Sequence, residues 1–138
     1  MTQKSTGQTA YSTMYYRDAP AAMAWLQKAF GFEQQFVVPG PDGRITHAQL
    51  SFRGALIMMG SAKENPFGMI LPSQAGGITQ SVYLVLDDVA ALYERAKAAG
   101  AVMLRDLEET DYGSLDFSAR DPEGHVWHFG TYRPESAA

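Results

Sequence analysis

Gly54-Ala-Leu-Ile-Met-Met-Gly60 and Gly124-His-Val-Trp-His-Phe-Gly130 are stretches of equal length in the same glycine frame, 70 residues apart. A repeat of this kind is read before anything else, because the period sets the architecture. The surroundings repeat as well. Upstream of each stretch come a strand, an acidic residue, a helix ending in glycine and a hairpin, starting at Tyr11 in the first copy and at Ser81 in the second. The chain therefore reads as one β-α-β-β-β unit written twice.

The helices carry the clearest punctuation. Asp18-Ala-Pro20 supplies a cap and an early proline, and Ala22, Trp25, Leu26, Ala29 and Phe30 form a 3.6-period stripe before Gly31. In the second copy Asp87 and Asp88 offer caps, Val89, Leu92, Tyr93, Ala96 and Ala99 make the stripe, and Gly100 suits a left-handed terminus. Strands are expected over residues 32–38 and 44–52, joined across Pro39-Gly-Pro-Asp-Gly43, with the first glycine-framed stretch as the fourth strand. Their counterparts are residues 101–107, roughly 113–120 and 125–131, the last two joined by Asp121-Pro-Glu-Gly124.

At 138 residues the chain is one domain, spanning 1–138, with module one over about 10–60, a linker over about 61–79 and module two over about 80–132. The linker holds three Gly and two Pro, and its Asn65-Pro-Phe-Gly-Met-Ile-Leu71 is expected over a pocket mouth. With 46% apolar and 19% charged residues the composition is that of a chain that folds unaided. A net charge of -4 without a basic cluster argues against nucleic acid as a partner. The polar opening and the lack of an apolar run of bilayer length point to a cytoplasmic protein with no membrane partner. Zero cysteines exclude disulfides, thiolate nucleophiles and Cys-ligated metal centres.

Three segments carry a family resemblance: Tyr16-Arg-Asp-Ala-Pro-Ala-Ala-Met-Ala-Trp-Leu-Gln-Lys-Ala-Phe-Gly-Phe32, Val85-Leu-Asp-Asp-Val-Ala-Ala-Leu-Tyr-Glu-Arg-Ala-Lys-Ala-Ala-Gly100, and Asp121-Pro-Glu-Gly-His-Val-Trp-His-Phe-Gly-Thr-Tyr132. In this order, and with the internal offset, they resemble the glyoxalase, bleomycin-resistance and dioxygenase branch of the vicinal oxygen chelate superfamily, over about residues 10–132. The resemblance implies an α+β fold in which two tandem βαβββ modules form a curved mixed sheet around a shared cup. It also implies pairing of modules within or between chains, and a homodimer is expected. Family members divide into metal enzymes and metal-free proteins that sequester a drug.

The metal positions of the enzymes come from the first and last strands of each module. Carried over one at a time, they fall on Tyr11, Met58, Ser81 and His128. A divalent centre needs three or more protein nitrogen or oxygen ligands, which a phenol, a thioether and a hydroxyl supply poorly, so neither a metal nor another cofactor is expected. Gln80, one residue from Ser81, is the competing oxygen donor. Strand alternation sets Val82, Leu84 and Leu86 under the helix and leaves Ser81, Tyr83 and Val85 facing the cup.

The same alternation sends His128 inward, as a ligand contact or as a wall histidine satisfied by a neighbour, with Trp127 and Phe129 packed outward. His125 reads as a solvated turn residue. His47, Gln49 and Ser51 lie opposite Ala48, Leu50 and Phe52, so His47 and Gln49 face the cup or serve only the sheet. Tyr11, Thr13 and Tyr15 share a parity and, with Tyr83, gather aromatic rings suited to a flat, partly apolar ligand. The candidate ligand-binding residues are thus Tyr11, Thr13, Tyr15, His47, Gln49, Met58, Ser81, Tyr83 and His128, with His128 the candidate acid or base. Glu108, Glu109 and Asp111 read as a solvated loop.

Two functions follow as expectations. The first is a metal-free cup that sequesters or binds a small organic molecule. The second is an enzyme of the same superfamily, a divalent-metal-dependent lyase, isomerase or dioxygenase with ligands recruited from His47 and His128, or a metal-free one using His128.

Overall fold

The computed structural model describes residues 7–137; the first six residues and Ala138, included in the one-domain reading, lie outside the described residues. Module one consists of β1 (Thr13–Tyr16), α1 (Ala19–Phe30), β2 (Glu33–Pro39), β3 (Ile45–Phe52) and β4 (Ala55–Ser61). Module two consists of β5 (Val82–Val85), α3 (Val89–Ala98), β6 (Val102–Glu109), β7 (Leu115–Arg120) and β8 (Val126–Gly130). Each forms a four-stranded mixed sheet, in the orders β1-β4-β3-β2 and β5-β8-β7-β6, so the two sheets are topological copies. The parallel pair joins first strand to last, with Thr13 opposite Met58 and Tyr83 opposite His128.

Local chemistry explains the elements. The Asp18 carboxylate accepts the Ala21 N–H at 3.1 Å, and Gly31 closes α1 in the left-handed region at φ 79°. The cap expected on Asp88 takes a different form: Asp88 holds the N-cap position of α3, but its carboxylate receives the Arg53 guanidinium at 3.0 and 3.2 Å. A tertiary partner 35 residues away wins over the local amide. The acidic run is also differently placed, since Glu108 and Glu109 end β6 rather than occupying a loop.

The linker is not wholly irregular. Pro72–Ala75 forms a short helix, α2, with proline in its first turn, the Gln74 side chain accepting the Leu71 N–H at 2.8 Å, and Gly76 at φ 76°. It is tied to both modules. Arg17 donates to the Ser73 hydroxyl at 3.0 Å, and Gly124 of the β7–β8 turn lies so close that a Cβ there would sit 3.1 Å from the Pro72 ring.

Alternation holds in β3, where Ala48, Leu50 and Phe52 are buried and His47, Gln49 and Ser51 are half-buried on the opposite face. The buried faces of both sheets meet one core with α1 and α3. Phe30 of α1 packs against Phe129 and Trp127 of β8, with ring centroids 4.7 and 5.9 Å away, and Phe52 of β3 reaches Phe129 at 5.8 Å. Polar ties follow the same seam. Arg95 of α3 donates to the Lys28 and Gln27 carbonyls at the C-terminus of α1, at 2.8 and 3.0 Å, where a cation complements the helix dipole. Among the described residues no helix is long and apolar enough to cross a membrane.

Candidate functional site

β1 and β5 are both edge strands, and their starts border a cavity of about 800 Å³. Module one contributes residues 10–15, including Tyr11, Thr13 and Tyr15; module two contributes Ser81, Val82, His125 and Val126; the linker contributes most of the rest. Both modules therefore share one cavity. Its third wall is held by Asn65, whose side-chain oxygen accepts the N–H groups of Phe67 and Met69 at 2.9 and 3.2 Å and whose amide donates to the Lys63 and Met69 carbonyls. The loop so fixed sets Met69 and Ile70 against the cavity, in line with the expectation that this segment covers a pocket mouth.

Four of the candidate residues, Tyr11, Thr13, Tyr15 and Ser81, line this cavity, and so does Gln80. The other five, His47, Gln49, Met58, Tyr83 and His128, do not line it. Met58 is the β4 neighbour of Thr13 and of Gln49 on β3. His47 Nε2 and Gln49 Oε1 are 2.9 Å apart, and the Phe36 ring stands edge-on to His47 at 6.3 Å. The Tyr83 hydroxyl donates to the Tyr132 carbonyl at 2.6 Å. Burial, with the Asp116 carboxylate adding to it, raises that phenol above its ordinary pKa.

His128 connects the cavity to the interior. Its Nδ1 is 2.7 Å from the hydroxyl of Ser118, which is 4% exposed, and its Nε2 is 3.0 Å from the hydroxyl of cavity-lining Ser81. Burial lowers its pKa below the ordinary imidazole value; the Arg105 guanidinium adds to the lowering and Asp116 opposes it. Asp116 is itself buried, accepting from Arg105 at 3.2 Å and from the Ser114 hydroxyl. Gly130 is required beside it, because a Cβ there would fall 2.6 Å from the Tyr83 oxygen and inside contact distance of the Asp116 carboxylate.

His125 corrects the solvated-turn reading. It is half-buried in the cavity wall, its ring 4.6 Å from the Tyr16 ring and its Nε2 2.9 Å from the Tyr15 carbonyl. The cause is tertiary: the Asp121–Gly124 turn folds onto the end of β1. The Tyr16 hydroxyl donates to Asp121 Oδ2 at 2.6 Å, and Glu123 accepts the Arg17 and Asp18 N–H groups at 2.5 and 2.9 Å. Nothing in local alternation signals a contact between residues so far apart in the chain. Val82, Val126 and the linker residues Met69, Ile70 and Ile78 were likewise outside the candidate set; alternation had set Val82 under the helix, and the linker residues have no periodicity that assigns them a face.

Donor chemistry for a metal is thin. Among the described residues no three or more of His, Cys, Asp and Glu converge so as to hold an ion. Both ring nitrogens of His128 face serine hydroxyls, and Met58 and Tyr11 offer a thioether and a phenol.

Comparison with known proteins gives a family and a fold. Residues 8–129 match the model of the Glyoxalase/Bleomycin resistance protein/Dioxygenase superfamily. An uncharacterised protein of Mycobacterium bovis is 34% identical over 115 residues, covering 82% of this chain and 76% of its own. Among solved structures, TioX from Micromonospora sp. ML1 superposes with a TM-score of 0.72 at 29% identity, over 94% of this chain and 100% of that one. FosX, a fosfomycin resistance protein from Listeria monocytogenes solved with Mn(II) and sulfate, has a TM-score of 0.65 at 14% identity, over 91% of this chain and 93% of that one, and shares the fold.

Proposed function

Since this chain belongs to the glyoxalase/bleomycin resistance protein/dioxygenase superfamily, we propose that it binds a small organic molecule in the cavity between its modules, without a catalytic metal. The observation that carries this reading is the cavity itself. At about 800 Å³ it is of the size that takes drug-sized ligands, and its wall mixes tyrosine rings with serine, threonine and glutamine groups. Rings supply contact area to a flat or partly apolar ligand, while hydroxyls and amides orient it. The donor set supports the metal-free half of the proposal, since the four positions that the family resemblance assigns to metal ligands are Tyr11, Met58, Ser81 and His128.

The reading includes a cytoplasmic homodimer. In support of the dimer, the outer strands β2 and β6 leave Val38, Val102 and Leu104 more than a third exposed, apolar edge surface that a second copy would cover. The test is a thermal-shift screen of antibiotics, keto acids and aryl compounds on protein dialysed against EDTA. A ligand present at 100 times its Kd adds about 2.7 kcal/mol to the folded state, a clear rise in melting temperature. Hits that survive EDTA support the reading. Shifts that appear only after a divalent ion is added would overturn its metal-free half and favour the enzyme reading.

A further inference from the structure

Ser81, His128 and Ser118 form one hydrogen-bonded line running from the cavity into the sheet, and it is the order of the three that matters. Ser81 is exposed and lines the cavity; His128 is half-buried; Ser118 is buried on β7, directly opposite His128 on β8 in the antiparallel register. The strand pairing thus fixes the buried hydroxyl against one face of the imidazole edge, and the ring can reach the cavity hydroxyl through its other nitrogen. A hydroxyl, a base and a buried group that orients the base are the parts of an activated nucleophile.

Building on the proposed cavity reading, the geometry points to Ser81 as a nucleophile that takes the acyl group from activated aryl esters, with His128 as its base and Ser118 as a positioning residue. With Nδ1–H donated to Ser118, the Nε2 lone pair faces the Ser81 hydroxyl. The Ser81 oxygen bonds the ester carbonyl carbon while its proton passes to His128 Nε2. The tetrahedral adduct then collapses, the bond from carbonyl carbon to aryl oxygen breaks, and the departing phenolate takes the proton from His128. Acyl-Ser81 and neutral imidazole remain. Water, deprotonated by the same nitrogen, releases the acid and restores the serine. Activated esters are the substrate class because a phenolate leaves with little assistance. The tyrosine-bearing cavity wall receives the aryl ring.

The groups facing His128 set its working state: Arg105 on β6 and Asp116 on β7 are the charges acting on it, and Tyr83 on β5 is its parallel-register neighbour. Burial, with Arg105 adding to it, lowers the imidazole pKa and so favours the neutral form that can act as a base.

The experiment incubates the full chain with p-nitrophenyl acetate, follows nitrophenolate release, and maps the acetyl group by peptide mass spectrometry. The expected result, with the reaction quenched in acid before the acyl group is hydrolysed, is one acetyl group on Ser81, formed at a rate that rises with pH to a plateau as the imidazole deprotonates. Ser81→Ala loses the adduct while keeping the wild-type melting temperature, since its side chain is exposed. His128→Gln slows acetylation about 100-fold. Ser118→Ala shifts the pH midpoint of the rate, which loss of packing alone would not do. Cavity-lining Ser12 and exposed Ser73 are the internal controls. A histidine merely satisfied by two hydroxyls would leave Ser81 no more reactive than either, and that outcome overturns the proposal, as does acetylation confined to lysine. The unreactive amide p-nitroacetanilide separates the two readings. If it raises the melting temperature while Ser81 stays unlabelled by the ester, the cavity reading stands and the nucleophile falls; if it gives no shift and Ser81 stays unlabelled, the result counts against both.

Discussion

Replacing Phe30 by alanine tests how the two modules are joined. Phe30 belongs to the first module's helix, is 1% exposed, and meets Trp25 at 5.1 Å, Phe129 at 4.7 Å and Trp127 at 5.9 Å, so two of its three ring partners lie in the second module. Truncating a fully buried Phe costs about 3–5 kcal/mol in lost transfer energy and cavity formation. With aromatic partners on several sides the ring space cannot close by a single rotamer change, which favours about 4 kcal/mol, a large share of the roughly 5–15 kcal/mol that holds a domain folded. At about 3 °C per kcal/mol for a chain of this size, the melting temperature falls by roughly 12 °C. Urea unfolding followed by far-ultraviolet circular dichroism and by tryptophan fluorescence gives the measurement. Trp25 and Trp127 report on different modules, and both signals are expected to move together in one transition. Phe67→Ala, at a site 78% exposed, is the control and leaves the midpoint unchanged. A loss below about 1 kcal/mol for Phe30→Ala, or separate transitions for the two probes, would refute a shared core.

Three further outcomes can be checked by melting curves. Tyr16→Phe removes the hydroxyl that donates to buried Asp121, and is expected to cost about 1–3 kcal/mol through the carboxylate left short of a donor. Gly130→Ala forces a methyl group against the Tyr83 oxygen and the Asp116 carboxylate, an overpacking cost of about 1–3 kcal/mol; a neutral result would mean the strand slides without resistance. His128 binds its proton less readily folded than unfolded, so the unfolded state takes up more protons between the lowered folded pKa and the ordinary value near 6.5. Stability from neutral His128 is therefore complete above about pH 6.5 and declines as pH falls through that window. The melting temperature of wild type should drop relative to His128→Gln between pH 7.5 and 5, and parallel curves for the two would contradict the assignment.

What the sequence made legible was local or periodic. The glycine-framed repeat located β4 and β8, Asp18 and Gly31 bracketed α1, and the alternation of His47, Gln49 and Ser51 with Ala48, Leu50 and Phe52 separated the two faces of β3. What escaped it was the contact between copies. Asp88 looks like a cap until Arg53 arrives from the β3–β4 turn, and His125 looks solvated until its turn docks on Tyr15 and Tyr16. The cavity wall was legible where it lies on β1 and at the start of β5. In the linker, residues 65–71 were expected over a pocket mouth, but which side chains face the cavity was hidden, because Met69, Ile70 and Ile78 have no periodicity to assign them a face. His128 was left between ligand contact and wall histidine, and its serine partners, Ser118 on β7 and Ser81 just before β5, are set by a strand register that the residues alone do not give.

A metal-free ligand cavity shared by the modules predicts the outcome of calorimetric titration of EDTA-dialysed protein with an aryl compound taken from the thermal-shift screen. Wild type should bind one molecule per chain with an affinity that added divalent ions do not change. Thr13→Trp, which fills the cavity from the exposed start of β1, should abolish the heat of binding. Binding that requires a divalent ion, or that persists unaltered in Thr13→Trp, would contradict the account.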